Sequence, residues 1–137
     1  EEEFAALHPG GTLGKSLLTK AKDLMTTEVP LVQADDSLNE VLLKISEGRL
    51  GLACLGSKDA VKGIITDGDI RRAMGKAENT DVLTAKDMAT KNPIFIDEST
   101  GLHEMNLLFR EKKIVSVLVG SPNELKGVVQ FYDIHNG

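Results

Sequence analysis

The sequence predicts an α/β fold in which two copies of one small domain pack as a pseudo-two-fold pair. The first observation is an internal repeat: "AKDLMT", from Ala21, returns as "AKDMAT", from Ala85, and "KGIITDGDIRR", from Lys62, returns as "KGVVQFYDIHN", from Lys126. Both pairs are separated by 64 residues, a period too long for a solenoid repeat. The second observation is size, because a copy of about 60 residues buries so little of its surface that it is only marginally stable alone. We therefore expect the copies to dock sheet to sheet, with a cleft on their axis.

Each copy is predicted to open with a short helix, over "TKAKDLM" in the first copy, and then to run strand, helix, strand, strand, helix. The first strand of the first copy contains the apolar pair Leu31 and Val32. Ser37 and Glu40 then form an S-x-x-E capping box that begins a helix, and Gly48 ends that helix. The apolar residues of the helix recur at helical spacing, as Leu38, Val41, Leu42 and Ile45.

Two apolar runs follow, over residues 50–55 and 61–65, and the loop "GSKDA" between them is typical of a β-hairpin. A last helix begins near Asp67. The second copy repeats this pattern, with a strand over residues 94–96, strands over 114–119 and 125–129 joined by "GSPNE", and a last helix from Phe131. Its middle helix carries an apolar stripe at Leu102, Met105 and Phe109. The predicted domains are residues 19–78 and 83–137.

Composition narrows the classes of function. The chain has 137 residues, 41% of them apolar, and a formal net charge of −5, which argues against a nucleic-acid partner. There is no apolar run of about 18 residues to span a membrane and no basic, apolar signal segment in the opening "EEEF". The single cysteine, Cys54, rules out a disulfide framework within the chain and fits the cytoplasm. The three histidines and Cys54 show no metal-ligand spacing, so we expect no metal site.

The stretch "GIITDGDI" contains the most informative residues. Thr66 and Asp69 follow a strand at the spacing of a helix capping box, which is one interpretation of the pair. The other interpretation is a nucleotide site, because a helix N-terminus favours phosphate, a hydroxyl can donate to it, and a carboxylate can accept from ribose hydroxyls. The second copy keeps Asp133 but has Gln130 in place of Thr66. We therefore expect the first copy to be the better phosphate site.

The repeated unit resembles the CBS domain, a family found in tandem pairs, over about residues 19–137. Its pattern G-h-x-[ST]-x-x-D is present as Gly63, Ile64, Thr66 and Asp69. This resemblance implies that Thr66 contacts phosphate, that Asp69 contacts ribose, and that the base is held by the backbone of residues 29–31, which are Val29, Pro30 and Leu31. It implies a weaker second site at Asp133. The expected ligand is an adenosine nucleotide, and no cofactor is required.

The head of the chain belongs to neither copy. "FAALHPGGTLGKSLL" fails the phosphate-loop pattern because Pro9 stands where glycine is needed. It resembles the junction in bacterial arabinose-5-phosphate isomerases of Kdo synthesis, in which a sugar-isomerase (SIS) domain precedes a CBS pair. Residues 1–18 would then be the tail of that domain plus a linker. His8 would belong to an active site that only the missing isomerase domain completes, so we expect the chain alone to be inactive.

The resemblance implies a regulatory CBS pair that binds a nucleotide in its cleft and modulates an attached arabinose-5-phosphate isomerase domain. Because Kdo synthesis supplies lipopolysaccharide and ends in CMP-Kdo, that nucleotide-sugar is a second candidate ligand. The alternative is a ligand-free module that holds isomerase subunits together. We also expect a homo-oligomer, formed through apolar helix positions at Ile70, Ala73, Met74 and Ile134.

Overall fold

The computed structural model describes the backbone of residues 18–136 and the side chains up to Ile134. These residues form two compact units. The N-repeat unit contains residues 27–94 and 122–125, and the C-repeat unit contains residues 18–26, 95–121 and 126–136. None of the helices in this described part is both long and apolar enough to cross a bilayer.

The predicted element order is confirmed in both copies. The first copy consists of the leading helix α1 (Ala21–Leu24), β1 (Leu31–Val32), α2 (Leu38–Gly48), β2 (Leu52–Ser57), β3 (Ala60–Thr66) and α3 (Asp67–Lys76). A 3-10 turn (Thr80–Val82) connects it to the second copy. That copy opens with the leading helix α4 (Ala85–Met88) and strand β4 (Thr90–Lys91), and continues with β5 (Phe95–Ile96), α5 (Leu102–Lys112), β6 (Ser116–Ser121), β7 (Glu124–Gln130) and α6 (Phe131–Asn136).

Each unit has its own sheet and core. The N-repeat sheet has the order β1-β2-β3-β4, with β1 parallel to β2 and the other neighbours antiparallel. The other sheet has the order β5-β6-β7, with β5 parallel to β6. The predicted hairpins are present, with two residues between β2 and β3 and two between β6 and β7. The buried cores centre on Val41, Ile65 and Met88 in the N-repeat unit, and on Met105, Phe109 and Val129 in the C-repeat unit.

Helix α2 begins as predicted and ends for a different reason. The Ser37 hydroxyl accepts from the Glu40 amide at 3.2 Å, and the Glu40 carboxylate accepts from the Ser37 amide at 3.0 Å. The left-handed residue after the helix is Arg49 (φ 61°), and Lys113 (φ 55°) has the same position after α5. Gly48 is the last helical residue, where a Cβ would meet Pro30 Cγ at 2.2 Å. This glycine is required by a close contact and not by backbone conformation.

The leading helix of each copy packs in the unit built mainly from the other copy. The amide of Ala21 in α1 donates to the Thr100 carbonyl (2.8 Å), and Thr26 pairs with Val128. In the same way, the amide of Ala85 in α4 donates to the Asp36 carbonyl (2.8 Å). The compact units therefore differ from the sequence repeats by an exchange of their leading segments.

The motif glycines allow this exchange. A Cβ on Gly63 would lie 2.8 Å from the carbonyl oxygen of Thr90, because β4 runs beside β3 at this point. A Cβ on Gly127 would lie 2.6 Å from the carbonyl oxygen of Thr26. Real Cβ atoms are not found so close to backbone oxygens, so each glycine leaves the space that the exchanged segment occupies.

The predicted partner-facing helix positions are mostly internal. Ile70 is 4% exposed and Ile134 is 7% exposed, and each belongs to the core of its unit. Ala73 packs against the same core as Ile70, and Met74 is the one of the four that is exposed. The expectation that Ile70 and Ile134 face a partner is wrong, because both side chains are needed to hold their short helices against the sheets.

Candidate ligand site at the end of strand β3

Strand register brings the predicted base segment and the predicted phosphate residue to one end of the N-repeat sheet. Leu31 pairs with Cys54 in the parallel β1–β2 ladder, and the Pro30 carbonyl accepts from the Cys54 amide at 2.8 Å. Leu52 pairs with Thr66 in the antiparallel β2–β3 ladder. The start of β1 and the end of β3 are thus separated by two strand spacings across the sheet and by two residues along it, which together give roughly 12 Å.

Thr66 and Asp69 form the capping box that begins α3. The Asp69 carboxylate oxygen Oδ2 accepts from the Thr66 amide at 2.9 Å and from the Thr66 hydroxyl at 3.0 Å. The Thr66 hydroxyl oxygen in turn accepts from the Asp69 amide, at 3.4 Å. The capping-box interpretation of this pair is therefore confirmed. Any ligand must bind to two residues that are already hydrogen-bonded to each other.

Two further donors complete the surroundings of Asp69. Its oxygen Oδ1 accepts from Thr90 Oγ1 at 2.7 Å and from Arg72 Nη2 at 2.6 Å. With the two bonds from Thr66, these contacts fill the roughly four acceptor positions of an ionised carboxylate. The Asp69 side chain is 5% exposed, whereas the Arg72 side chain is 66% exposed. The site thus combines a buried, saturated carboxylate with a cation that lies mostly in water.

The hydrogen bonds keep Asp69 ionised. Burial alone would raise the pKa of this carboxyl, but the hydrogen bonds from Thr90, Thr66 and Arg72 outweigh burial and hold the pKa below its usual range. Asp69 therefore remains an acceptor at neutral pH, and a donor can bind to it only by replacing one of the four donors already present.

The predicted base segment borders an open depression. Its volume is about 380 Å³, and its lining residues are Glu28, Val29, Pro30, Leu31, Lys44, Glu47 and Gly48. Lys44 Nζ donates to the Leu31 carbonyl at 3.2 Å, so one backbone acceptor of this segment is already engaged. Val29 is 7% exposed, and its side chain contributes mainly to the packed interior.

The equivalent site in the C-repeat unit is built differently. Asp133 accepts from the Gln130 amide at 2.8 Å, so the backbone bond of the capping box is kept. The Gln130 side chain donates to Ser116 Oγ on the neighbouring strand at 3.0 Å. Because glutamine has no hydroxyl and its amide is bonded to β6, the second site lacks the hydroxyl that Thr66 places beside Asp69.

Sequence reasoning missed Thr90, and it left Arg71 and Arg72 either as solvent-facing charges of the helix or as cations that lean toward a bound anion. Thr90 lies 21 residues beyond Asp69 and reaches it only because α4 and β4 pack in the N-repeat unit. A usable signal was the recurrence of Thr26 as Thr90 in the repeated leading segment. His8 lies outside the described residues, and no group of three acidic, His or Cys side chains suited to a metal occurs among the described ones.

A duplicated strand-helix-strand-strand-helix unit, closed by a Thr–Asp box at the end of its third strand, is characteristic of one class of module. The family model described as "CBS domain" matches residues 21–76 and again residues 85–136, and the chain belongs to this family. The crystal structure of a CBS domain covers 85% of this chain and 94% of its own, with a TM-score of 0.76 and 18% identity. The crystal structure of CBSX2 in complex with AMP covers 85% of this chain and 92% of its own chain, with a TM-score of 0.71 and 17% identity. At these identities the likeness shows the fold.

The relatives in sequence are more particular. A Haemophilus influenzae protein named "Probable arabinose 5-phosphate isomerase" is 40% identical over 94% of this chain. Arabinose 5-phosphate isomerase KpsF of Escherichia coli is 36% identical over 96% of this chain. Arabinose 5-phosphate isomerase KdsD of Yersinia pestis is 34% identical over 98% of this chain. The chain spans about two fifths of the length of these curated relatives (39%, 41% and 42%). The relatives thus carry this CBS pair within a larger protein.

Proposed function

We propose that this CBS pair is the nucleotide-responsive regulatory part of an arabinose 5-phosphate isomerase. The observation that carries the proposal is the match of nearly the whole chain, at 34–40% identity, to part of proteins bearing that name. The sugar substrate would be handled by the remainder of such a protein. Kdo and lipopolysaccharide biosynthesis, and a cytoplasmic location, follow from the same resemblance and belong to the proposal.

The ligand site of the proposal is the Thr66 end of the N-repeat sheet. A phosphate there would accept from the Thr66 hydroxyl, which would turn away from Asp69 Oδ2 as a ribose hydroxyl replaces it, and from the amides at the start of the ten-residue helix α3. The helix dipole favours an anion at this position. A ribose would place its hydroxyls against Asp69, and the base would reach the backbone of residues 29–31. The separation of roughly 12 Å between the two ends of this site fits a mononucleotide.

The base of the proposed nucleotide ligand has two candidates, adenine and cytosine. An adenosine nucleotide is favoured by the family, since the same fold in CBSX2 holds AMP. CMP-Kdo is the other candidate, because feedback by this activated product would link the supply of Kdo to the demand for it. A base held by backbone atoms leaves no side chain that distinguishes adenine from cytosine, so binding measurements must decide.

A second candidate function has one observation in its favour. Asp69 is saturated by donors from its own unit, and one of these donors, Thr90, lies on the exchanged strand β4. Such a carboxylate is well suited to holding β4 and α3 together without any ligand. In this case the pair would be a structural module that joins isomerase subunits.

Calorimetric titration with AMP, ADP, ATP, CMP and CMP-Kdo separates these functions. Loss of a charged acceptor removes roughly 1.5–3 kcal/mol, so Asp69→Ala should weaken the bound nucleotide about 10- to 100-fold. Asp133→Ala should weaken it less, because the second site lacks the Thr66 hydroxyl. Asp87→Ala is the matched control, since Asp87 makes the same capping contacts with Thr84 (2.9 Å each) in helix α4.

Two outcomes would contradict the nucleotide site. Failure of every nucleotide to bind or to raise the melting temperature would leave the structural role, because binding at 100-fold excess over Kd adds about 2.7 kcal/mol of stability. Equal binding by the wild type and Asp69→Ala would return the Thr66–Asp69 pair to the role of a helix cap. Turnover of arabinose 5-phosphate by the pure chain would contradict a purely regulatory part. The expected homo-oligomer is tested separately by sedimentation velocity.

A further inference from the structure

We propose that Arg72 makes the site selective for phosphorylated nucleosides by moving from the Asp69 carboxylate to the ligand's phosphate. This inference rests on the proposed nucleotide site and adds a specificity-determining residue to it. The ligand class is a nucleoside phosphate, with the corresponding uncharged nucleoside as the rejected competitor.

The starting point is the saturation of Asp69. Four donors occupy its oxygens: the amide and hydroxyl of Thr66 on Oδ2, and Thr90 Oγ1 and Arg72 Nη2 on Oδ1. A ribose hydroxyl that donates to Oδ1 must therefore replace either Thr90 or Arg72. A buried carboxylate that lost a donor without replacement would be strongly destabilised. Ligand binding is thus an exchange of donors.

Arg72 is the donor that is free to leave Oδ1. Thr90 is held by strand β4, whose backbone pairs with Gly63 and Ile64 of β3. The Arg72 side chain is 66% exposed and lies on the surface turn of α3, so it moves through water without disturbing the core. Because a ribose hydroxyl takes the place of the guanidinium on Oδ1, the buried carboxylate keeps a donor at that position throughout the exchange.

The guanidinium already lies beside the proposed phosphate position. A Cβ placed on Gly68 would be 3.4 Å from Arg72 Nη1 and 3.8 Å from Thr66 Oγ1, so both groups border the same small space above the first turn of α3. A phosphate bound there gives the guanidinium a new partner as a ribose hydroxyl takes its place on Asp69. A nucleoside without phosphate displaces Arg72 and offers it nothing, so it binds more weakly.

The second copy supports a shared role for the two residues. Asp69 recurs as Asp133, but Thr66 is replaced by Gln130 and Arg72 by Asn136. The hydroxyl and the guanidinium are thus lost together, while the carboxylate is kept. This pattern is expected if Thr66 and Arg72 serve the same anionic group and the carboxylate serves a different one.

The experiment compares AMP with adenosine, and CMP with cytidine, by calorimetric titration of the wild-type chain and of Arg72→Gln. We expect the wild type to prefer the phosphorylated member of the pair that binds. In Arg72→Gln, nucleotide affinity should fall about 10- to 100-fold while nucleoside affinity stays equal or rises, so the preference collapses. Arg72→Lys should restore part of the preference. Arg71→Gln, which alters the neighbouring exposed arginine of α3, is the matched control and should keep it.

Each result has a defined meaning. A wild type that binds nucleotide, with a phosphate preference unchanged in Arg72→Gln, overturns the role of Arg72 and leaves the proposed function intact. An equal loss of nucleotide and nucleoside affinity overturns it as well, because the residue would then only support the fold of the site. A wild type that binds none of the four compounds overturns this inference, and one that also fails to bind ADP, ATP and CMP-Kdo overturns the site itself. Melting curves of all four proteins show whether a loss arises from unfolding.

Discussion

Replacement of Gly63 by alanine tests the exchange of leading segments directly. The added Cβ would lie 2.8 Å from the Thr90 carbonyl oxygen and 3.2 Å from Ala89 Cβ, where ordinary contacts begin near 3.4 Å. Because the main obstacle is backbone, relief requires β4 to move away from β3. Overpacking of this kind destabilises by about 1–3 kcal/mol. Gly127→Ala should have an effect at the upper end of that range, since its Cβ would lie 2.6 Å from the Thr26 carbonyl oxygen.

Urea unfolding followed by circular dichroism measures these changes as shifts in the transition midpoint. Gly75→Ala is the matched control, because a Cβ there meets no atom of the described chain within 4 Å and Gly75 lies within α3. Alanine is the better helix former by about 0.5–1 kcal/mol, so this control should be more stable than the wild type. If Gly63→Ala proved as stable as Gly75→Ala, β4 would not lie against β3 and the exchanged arrangement would be wrong.

Asp69→Ala should lower the free energy of unfolding by about 2–4 kcal/mol, because it removes a capping bond of about 1 kcal/mol and the buried bond from Thr90. Asp133→Ala should lower it by about 1 kcal/mol, because it removes only the capping bond. Equal losses of the two variants in urea unfolding would refute this difference. Since the folded-state pKa of Asp69 is lowered, its stabilising contribution is complete above the ordinary aspartate pKa, about 3.9, and is lost as the pH falls through the folded value. The stability gap between wild type and Asp69→Ala should therefore narrow below about pH 4, and a gap that widened in acid would contradict the hydrogen-bonded, ionised state. Burial raises the pKa of Cys54 to about 12, so a thiol reagent at pH 8 should label this residue only as fast as the chain unfolds; labelling of the native chain at the rate seen in urea would show that the thiol is accessible.

Local chemistry explains why so much of the fold is readable from the sequence. The Ser37–Glu40 box is a contact between residues three positions apart, so its geometry is set by the chain itself. The same is true of the Thr66–Asp69 box and of the two-residue hairpins. The duplication adds a second reading of every element, which is why strand and helix order were predicted correctly in both copies.

Contacts between distant segments are the part that needed the structure. The leading segments "AKDLMT" and "AKDMAT" are nearly the same, so no local signal states which copy each one joins. Gly63 leaves room for Thr90 and Gly127 leaves room for Thr26, but these positions are the same in both copies, so the glycines permit the exchange without selecting it. The burial of Ile70 follows from the same packing and not from its place in a helical pattern.

In the candidate site, too, some features are readable from the sequence and others depend on contacts between distant segments. Residue identity and short-range contacts are enough to define the CBS repeat, the Thr66–Asp69 pair and the difference between the two copies. The saturation of Asp69 needs more than this, because Thr90 lies 21 residues away and reaches Asp69 only through tertiary packing, whereas Arg72 is three residues away on the same helix. Hydrogen-bond partners far apart in the chain are chosen by packing, and packing is a property of the whole unit.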